Sequence, residues 1–161
     1  MRAGHLDSPE RFQLIERYRD GARAVSEAVA SLSLTDLDRH AGGDWSAREV
    51  VHHVADAELH EAVRLRRILV EERPELLYVD EAAYARRLHY NRPVAASLQV
   101  FVAARVVNAE LLELLEEADW QRFGMHSVTG RHSLEDWLVK TAEHGHDHAA
   151  QLLSAAGHDV I

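Results

Sequence analysis

Residues 133–157 read SLEDWLVKTAEHGHDHAAQLLSAAG, and the phase of this stretch decides the fold. Ser133 fits a helix N-cap with Asp136 in the third position, and Gly157 fits the helix end. Between them Trp137, Thr141, His144, His148, Gln151 and Ala155 step by four, three, four, three and four. That spacing marks one face of an α-helix, the face turned to a core. His144 and His148 lie on it, while His146 points elsewhere. Two imidazoles one turn apart can reach a common point, a recurring half-site for a transition metal. In a chain with 12 histidines the spacing alone is a weak signal. A third ligand and a pocket must come from other helices.

Three further helices precede this one. Ser8, Pro9 and Glu10 suit the N-cap, first position and positive end of the first helix. Its apolar stripe is Phe12, Ile15, Ala22, Val25, Val29 and Leu32. Residues 35–40 read as one short turn and residues 41–44 as a loop. Ser46 and Glu49 have capping-box spacing and open the second helix, which carries Val50, Val51, Val54, Leu59, Val63, Leu65 and Leu69. Pro74 ends it. Residues 74–92 form a long connection with a short helix over residues 80–88. Pro93 opens the third helix, which runs to about residue 117. Its two rows, Val94, Leu98, Phe101, Leu112, Leu115 and Val100, Ala103, Val107, Leu111, Leu114, predict a broad buried arc. Arg105 and Asn108 interrupt the first row. Residues 118–132 read as a loop containing Gly124 and Gly130. No strand pattern is present. The expected fold is all-α, one four-helix bundle domain over residues 1–161, and bundles build metal sites between facing helices.

Composition narrows the function. The 161 residues suffice for one continuous core. With no cysteine, a metal site must use His, Asp, Glu or water. The net charge of −9 and the lack of a basic patch argue against a nucleic-acid partner. No apolar run approaches the ~20 residues of a membrane span. Residues 1–8 hold no signal-peptide core, so the expected location is the cytoplasm.

The third ligand is sought in Val51-His52-His53-Val54-Ala55-Asp56 on the second helix. His53 shares a face with Glu49, Ala57, His60 and Arg64, and His52 shares one with Arg48, Asp56 and Leu59. Spacing leaves open which histidine faces the bundle axis.

The run Trp45–Asp56, WSAREVVHHVAD, together with EHGHDHAAQ at residues 143–151, resembles the DinB/YfiT-like superfamily, closest to the branch that contains the bacillithiol transferases. The likeness covers nearly the whole chain. It includes Tyr78-Val79-Asp80-Glu81 and the HSLEDW entry to the last helix. It implies a four-helix bundle in up-down-down-up order, with a long crossover between helices 2 and 3. It also implies a divalent metal on one histidine of helix 2 and an HxxxH pair of helix 4, which are His53, His144 and His148 here. The chain departs from relatives at Glu143, Asp147 and Tyr84, where aromatic or histidine residues are common.

Three imidazoles leave a divalent metal with open positions, which suits catalysis more than structure. Zn²⁺ or Ni²⁺ fits nitrogen ligands. The resemblance implies transfer of a small-molecule thiol cosubstrate onto an electrophile, and a homodimer. The alternatives are a metal-dependent hydrolase assisted by Asp56 or Glu58, and a non-catalytic metal-binding stress-related protein. Arg105 either binds a cosubstrate carboxylate, with Asn108 orienting it, or pairs with Asp56 or Glu58 inside the core. Asp56 either bonds a ligand imidazole or a neighbouring group. Glu49 is read as a cap residue, Trp45 and Trp137 as core anchors, and His60 as a pocket or surface residue. His126 and His132 are read as loop histidines beside the pocket mouth. Gly145 costs roughly 1 kcal/mol of helix, which close approach of another helix would explain.

Overall fold

The computed structural model describes residues 8–41, 43 and 45–158. The stretch read as lacking a signal peptide, apart from Ser8, and positions 42 and 44 of the first loop lie outside the described residues. Four long helices carry the fold: α1 (Ser8–Ala30), α3 (Ala47–Val70), α5 (Ala95–Glu113) and α7 (Leu134–Ala156). Between them lie α2 (Leu34–Leu37), β1 (Glu75–Leu76), α4 (Glu81–Arg87), α6 (Glu117–Trp120), β2 (Phe123–His126) and β3 (Gly130–Ser133). The local start signals act as read. Ser46 and Glu49 form a capping box on α3, and Ser133 and Asp136 form one on α7. Gly157 ends α7 with φ 79°, the left-handed conformation that costs glycine least. Ser8 is already the first residue of α1 rather than its cap.

Side-chain pairs fix the helix directions. Arg11 meets Glu135 and Arg17 meets Glu143, so α1 and α7 run parallel. His52 meets Ser97 and Arg66 meets Asn108, so α3 and α5 run parallel. Trp137 donates to the Glu61 carbonyl while His53 faces His148, so α3 and α7 run antiparallel. The two pairs are therefore antiparallel to each other, giving a four-helix bundle in up-down-down-up order. The parallel pair α3 and α5 requires the chain to travel back along the bundle, and residues 71–94 do so with β1 and α4.

Two buried clusters fill the interior. One holds Tyr18, Leu65, Ile68, Trp120, Trp137 and Leu138, and the other Val25, Val50, Val54, Phe101 and Leu152. Several stripe residues are not in either. Phe12 is 61% exposed, and its neighbour Arg11 is buried instead, held by Glu135 and Glu117. Leu59 and Val63 are exposed while Glu58 and Glu61 are buried. The broad arc expected on α5 is half covered: Phe101, Arg105, Asn108 and Leu112 are buried, but Val100, Val107 and Leu114 are exposed. A helix in a four-membered ring packs against two neighbours, so its outer row has nothing to cover it. Contrary to expectation, α5 is also long and apolar enough to cross a membrane by length and composition, and a third of it is buried in the bundle.

The plain loop expected over residues 118–132 is corrected to α6 and a hairpin. β2 pairs antiparallel with β3, and β1 adds to β2 in parallel. These strands are two to four residues long, with histidine, arginine and glycine in them, so they show no period-two apolar pattern. The hairpin and the crossover close the two sides of a gap between α3 and α7.

Candidate metal centre

His53 enters from the second turn of α3, and His144 and His148 from successive turns of α7. One ring nitrogen from each lies within 4.8 Å of the other two. The His144 and His148 Nε2 atoms are 3.1 Å apart, and the His53 ring sits 4.7 Å from that of His148 between centroids. His52 is the other member of the ambiguous pair. It is fully buried, with Nδ1 on Ser97 Oγ at 2.8 Å and Nε2 on the Arg92 carbonyl at 2.9 Å, and it ties α3 to the start of α5. His146 reaches the Arg17 carbonyl at 3.0 Å.

The donor set fits a divalent transition metal. All three ligand atoms are imidazole nitrogens, the chemistry that Zn²⁺, Ni²⁺ and their neighbours favour. The rings are held neutral, the state in which a lone pair is free. Burial lowers the pKa of His53 to about 4 and that of His144 to about 2, and each is pushed further by His148. Burial also lowers His148, against a hydrogen bond to Gln151 that raises it. That bond sets the tautomer. Gln151 Oε1 is an acceptor 2.6 Å from His148 Nδ1, so Nδ1 carries the proton and Nε2 presents its lone pair to the cluster. Gln151 stands on the same stripe one turn on. The Trp45 ring packs edge-on against His53 at 4.9 Å.

A pocket of about 680 Å³ opens beside the triad between α3 and α7. His53 and His144 stand in its wall, with Asp56 and Tyr90 and, on α4 of the crossover, Glu81 and Tyr84. Asp56 accepts from Tyr90 Oη at 2.7 Å and makes no bond to a triad imidazole among the described residues. Burial pushes the Tyr90 hydroxyl up, so it remains a donor to Asp56. His60 lines the same wall with its ring 5.1 Å from Tyr84. His126 and His132, expected in a loop, stand on β2 and β3 and line the pocket. They share the hairpin face turned to the helices, since Gly124 pairs with His132 and strand residues alternate. Opposite them are Arg64, Lys140 and Glu61. Burial raises the Glu61 carboxyl, but Lys140 and Arg64 outweigh it and hold it below its ordinary value.

Arg105 and Asn108 do not line this pocket; they lie in a buried network behind it. Arg105 Nε donates to Glu58 Oε2 at 3.0 Å, Nη1 to the Tyr18 carbonyl at 2.6 Å and Nη2 to the Thr141 carbonyl at 2.9 Å. Asn108 donates to Tyr18 Oη at 3.0 Å and to Glu58 Oε1 at 3.2 Å, and Tyr18 Oη donates to the same carboxylate. Of the two partners expected for Arg105, Glu58 is the one present. Burial raises the Glu58 carboxyl against the pull of Arg105. Gly145 is explained by the same network. A Cβ there would stand 3.0 Å from both Arg105 Nη1 and the Gly21 Cα, so α1 and α7 meet through two glycines around the guanidinium.

Tyr90, Glu61, Arg64 and Lys140 carry no sequence signal as site residues. Glu61 and Lys140 belong to helices whose registers were legible, yet only the packed gap shows them facing each other. The profile of the DinB superfamily matches residues 17–152. The chain belongs to that superfamily. A protein of Oceanobacillus iheyensis is 30% identical over 141 residues, covering 87% of this chain and 82% of its own. One of Geobacillus thermodenitrificans is 30% identical over 162 residues, covering 94% and 90%. Both bear the name "putative metal-dependent hydrolase". Among solved structures, YfiT from Bacillus subtilis superposes with a TM-score of 0.89 at 24% identity, over 99% of this chain and 94% of that one. It is described as a probable metal-dependent hydrolase with an unusual four-helix bundle topology.

Proposed function

We propose that His53, His144 and His148 hold a divalent transition metal, and that this chain is a metal-dependent enzyme which transfers a low-molecular-weight thiol to an electrophile. The observation that carries the reading is the convergence of three neutral imidazoles, two of them in the wall of a substrate-sized pocket. Bound there, the metal supplies a Lewis acid that makes a thiol or a water molecule more acidic. The chain supplies the rest. Gln151 holds the His148 tautomer, Trp45 packs against the His53 ring, and Tyr84 and Tyr90 of the crossover line the pocket beside the triad. In this reading Asp56, held by Tyr90 in the pocket wall, takes the proton from an incoming nucleophile. The resemblance to the bacillithiol-transferase branch supports the thiol, which must come from a cosubstrate because the chain has no cysteine.

Hydrolysis is the second reading, and the names of the relatives favour it. In that case Asp56 is the base for water. Glu58 is withdrawn from that role, because Arg105, Asn108 and Tyr18 occupy it inside the core.

The first test is the metal content of protein purified without a histidine tag, beside His148→Ala. One equivalent of metal in the wild type and none in the variant is expected. Metal-loaded protein is then assayed for thiol conjugation and against a panel of amides and esters. Conjugation that survives unchanged in His53→Ala refutes the thiol reading, and ester or amide turnover lost in the same variant selects hydrolysis.

A further inference from the structure

The pocket extends well beyond the triad, and its far end has a charge pattern unlike the rest of this acidic chain. Glu61 is 7% exposed and accepts on one oxygen, Oε1, from both Arg64 Nη1 at 2.7 Å and Lys140 Nζ at 2.9 Å. Two cations share this carboxylate, and with Arg131 and Asp136, which line the same end, three cations stand with two carboxylates there, while Asp56 and Glu81 line the triad end. Donors are left over as well. Arg64 also bonds the Leu77 carbonyl, which leaves the remaining N–H groups of its guanidinium, and the Lys140 ammonium retains two. His126 adds another. Its Nδ1 accepts the backbone N–H groups of Val128 at 3.2 Å and Thr129 at 3.3 Å, so its proton is on Nε2. An opposite deficit stands beside these donors. Glu61 Oε2 is buried without a hydrogen-bond partner among the described residues. A buried acceptor without a donor marks a cluster that is incomplete without water or ligand.

We propose that this end of the pocket is a carboxylate-binding subsite, formed by Lys140, Arg64 and His126, for a substrate that carries a hydrogen-bond donor next to its carboxylate. The carboxylate takes the surplus charge of this end and the free N–H groups, and the neighbouring donor pairs with the unpartnered oxygen of Glu61 once that carboxylate turns it toward the pocket. Position sets the substrate's length. Lys140 is one turn before His144 on α7, about 6 Å along the axis, and Glu61 is two turns past His53 on α3, about 12 Å. A small molecule of that reach places its reactive end at the triad and its carboxylate at Lys140. The subsite deepens the reading above and rests on it for the reactive end alone.

Ligand-observed NMR titration of the metal-loaded protein tests this with two probe pairs. One is N-(2-mercaptopropionyl)glycine and its glycinamide analogue, and the other is the thiol-free N-propionylglycine and its amide. Each pair differs in the carboxylate alone and keeps an N–H beside it. In both, the acid is expected to bind the wild type about tenfold more tightly than the amide, the worth of one hydrogen bond to a charged group. The preference disappears in Lys140→Gln and persists in Lys140→Arg. Both variants are expected to fold, because the Lys140 side chain is 56% exposed and Arg64 stays on Glu61. Equal binding of acid and amide to the wild type overturns the subsite. So does a failure of both acids to bind at millimolar concentration, or an acid preference that survives in Lys140→Gln. The thiol reading fails separately: if the two acids bind equally well, the thiol adds nothing at the triad while the subsite stands.

Discussion

Gly21→Ala on α1 tests the packing that holds α7, and with it two of the three metal-site histidines. On helix propensity alone the change stabilises by about 1 kcal/mol. The structure opposes it. The new Cβ would stand 3.2 Å from Arg105 Cζ and 3.4 Å from the Gly145 Cα, and closer still to Arg105 Nη1. Arg105 has nowhere to retreat, being fully buried with Nη1 on Tyr18 and Nη2 on Thr141. Overpacking of this kind costs about 1–3 kcal/mol, and loss of the Nη1 bond about 1–3 kcal/mol more. With the propensity gain subtracted, a net loss of about 3 kcal/mol is expected, which lowers the melting temperature by about 6–12 °C. Calorimetric or circular-dichroism melts of the metal-free protein measure it. Gly43→Ala is the control, because a Cβ there meets nothing within 4 Å. A Gly21→Ala protein that melts at or above the wild type would refute the reasoning, since propensity would then have won.

Gln151→Leu removes the acceptor that fixes the His148 tautomer, and metal affinity should fall by about 10–100-fold with little change in metal-free stability; equal affinity by competition with a chelator would count against the role. The metal-free protein should lose stability as pH falls from about 6.5 towards 4, because the folded pKa values of His53 and His144 lie below the unfolded value and the unfolded chain takes up protons first. Above pH 6.5 these groups contribute no pH dependence, and between pH 7 and 4 His53 alone accounts for roughly 3 kcal/mol. Urea midpoints across that range check this, and a wild type no more acid-sensitive than His53→Ala argues against it. Glu58→Leu leaves Arg105 buried and unpaired and should cost about 3–5 kcal/mol, whereas Glu58→Leu with Arg105→Met should recover most of it. Denaturant melts of the single and double variants decide between a paired charge and two independent contacts.

The helices were legible because their starts are local. Ser46 with Glu49 and Ser133 with Asp136 specify their own capping boxes, whatever packs nearby. The inward turn of His144 and His148 followed from α7's own period. His53 was not decidable by spacing, and the structure shows why. α3 has partners on two sides, so His52 faces α5 and His53 faces α7, and both are buried. Periodicity reads a face as inward or outward but does not say which neighbour lies behind it. The apolar stripe of the second helix did not mark Glu58 or Glu61 as buried, for a related reason. Their burial rests on Arg105, Arg64 and Lys140, partners distant in sequence, while Leu59 and Val63 beside them are left exposed. A stripe of apolar residues predicts burial only where the buried groups are apolar.

The charged core and the metal centre are two halves of one arrangement. Arg105 Nη2 holds the Thr141 carbonyl, one residue stripe below His144, and its charge acts on both His144 and His148 in the direction that keeps them unprotonated. Burial is the larger cause for both rings. The guanidinium's further effect is positional: it occupies the gap left by Gly21 and Gly145, and so sets how closely α1 and α7 approach at the level of the triad. Of the two readings of Arg105, the core pairing is the one present, and the guanidinium acts one layer behind the pocket. Two of the cations that do line the pocket, Arg64 and Lys140, stand on the two helices that also carry the histidines. Any change in the spacing of α3 and α7 moves the metal ligands and the far end of the pocket together. In the proposed reading, substrate length and metal geometry are thus set by the same interface.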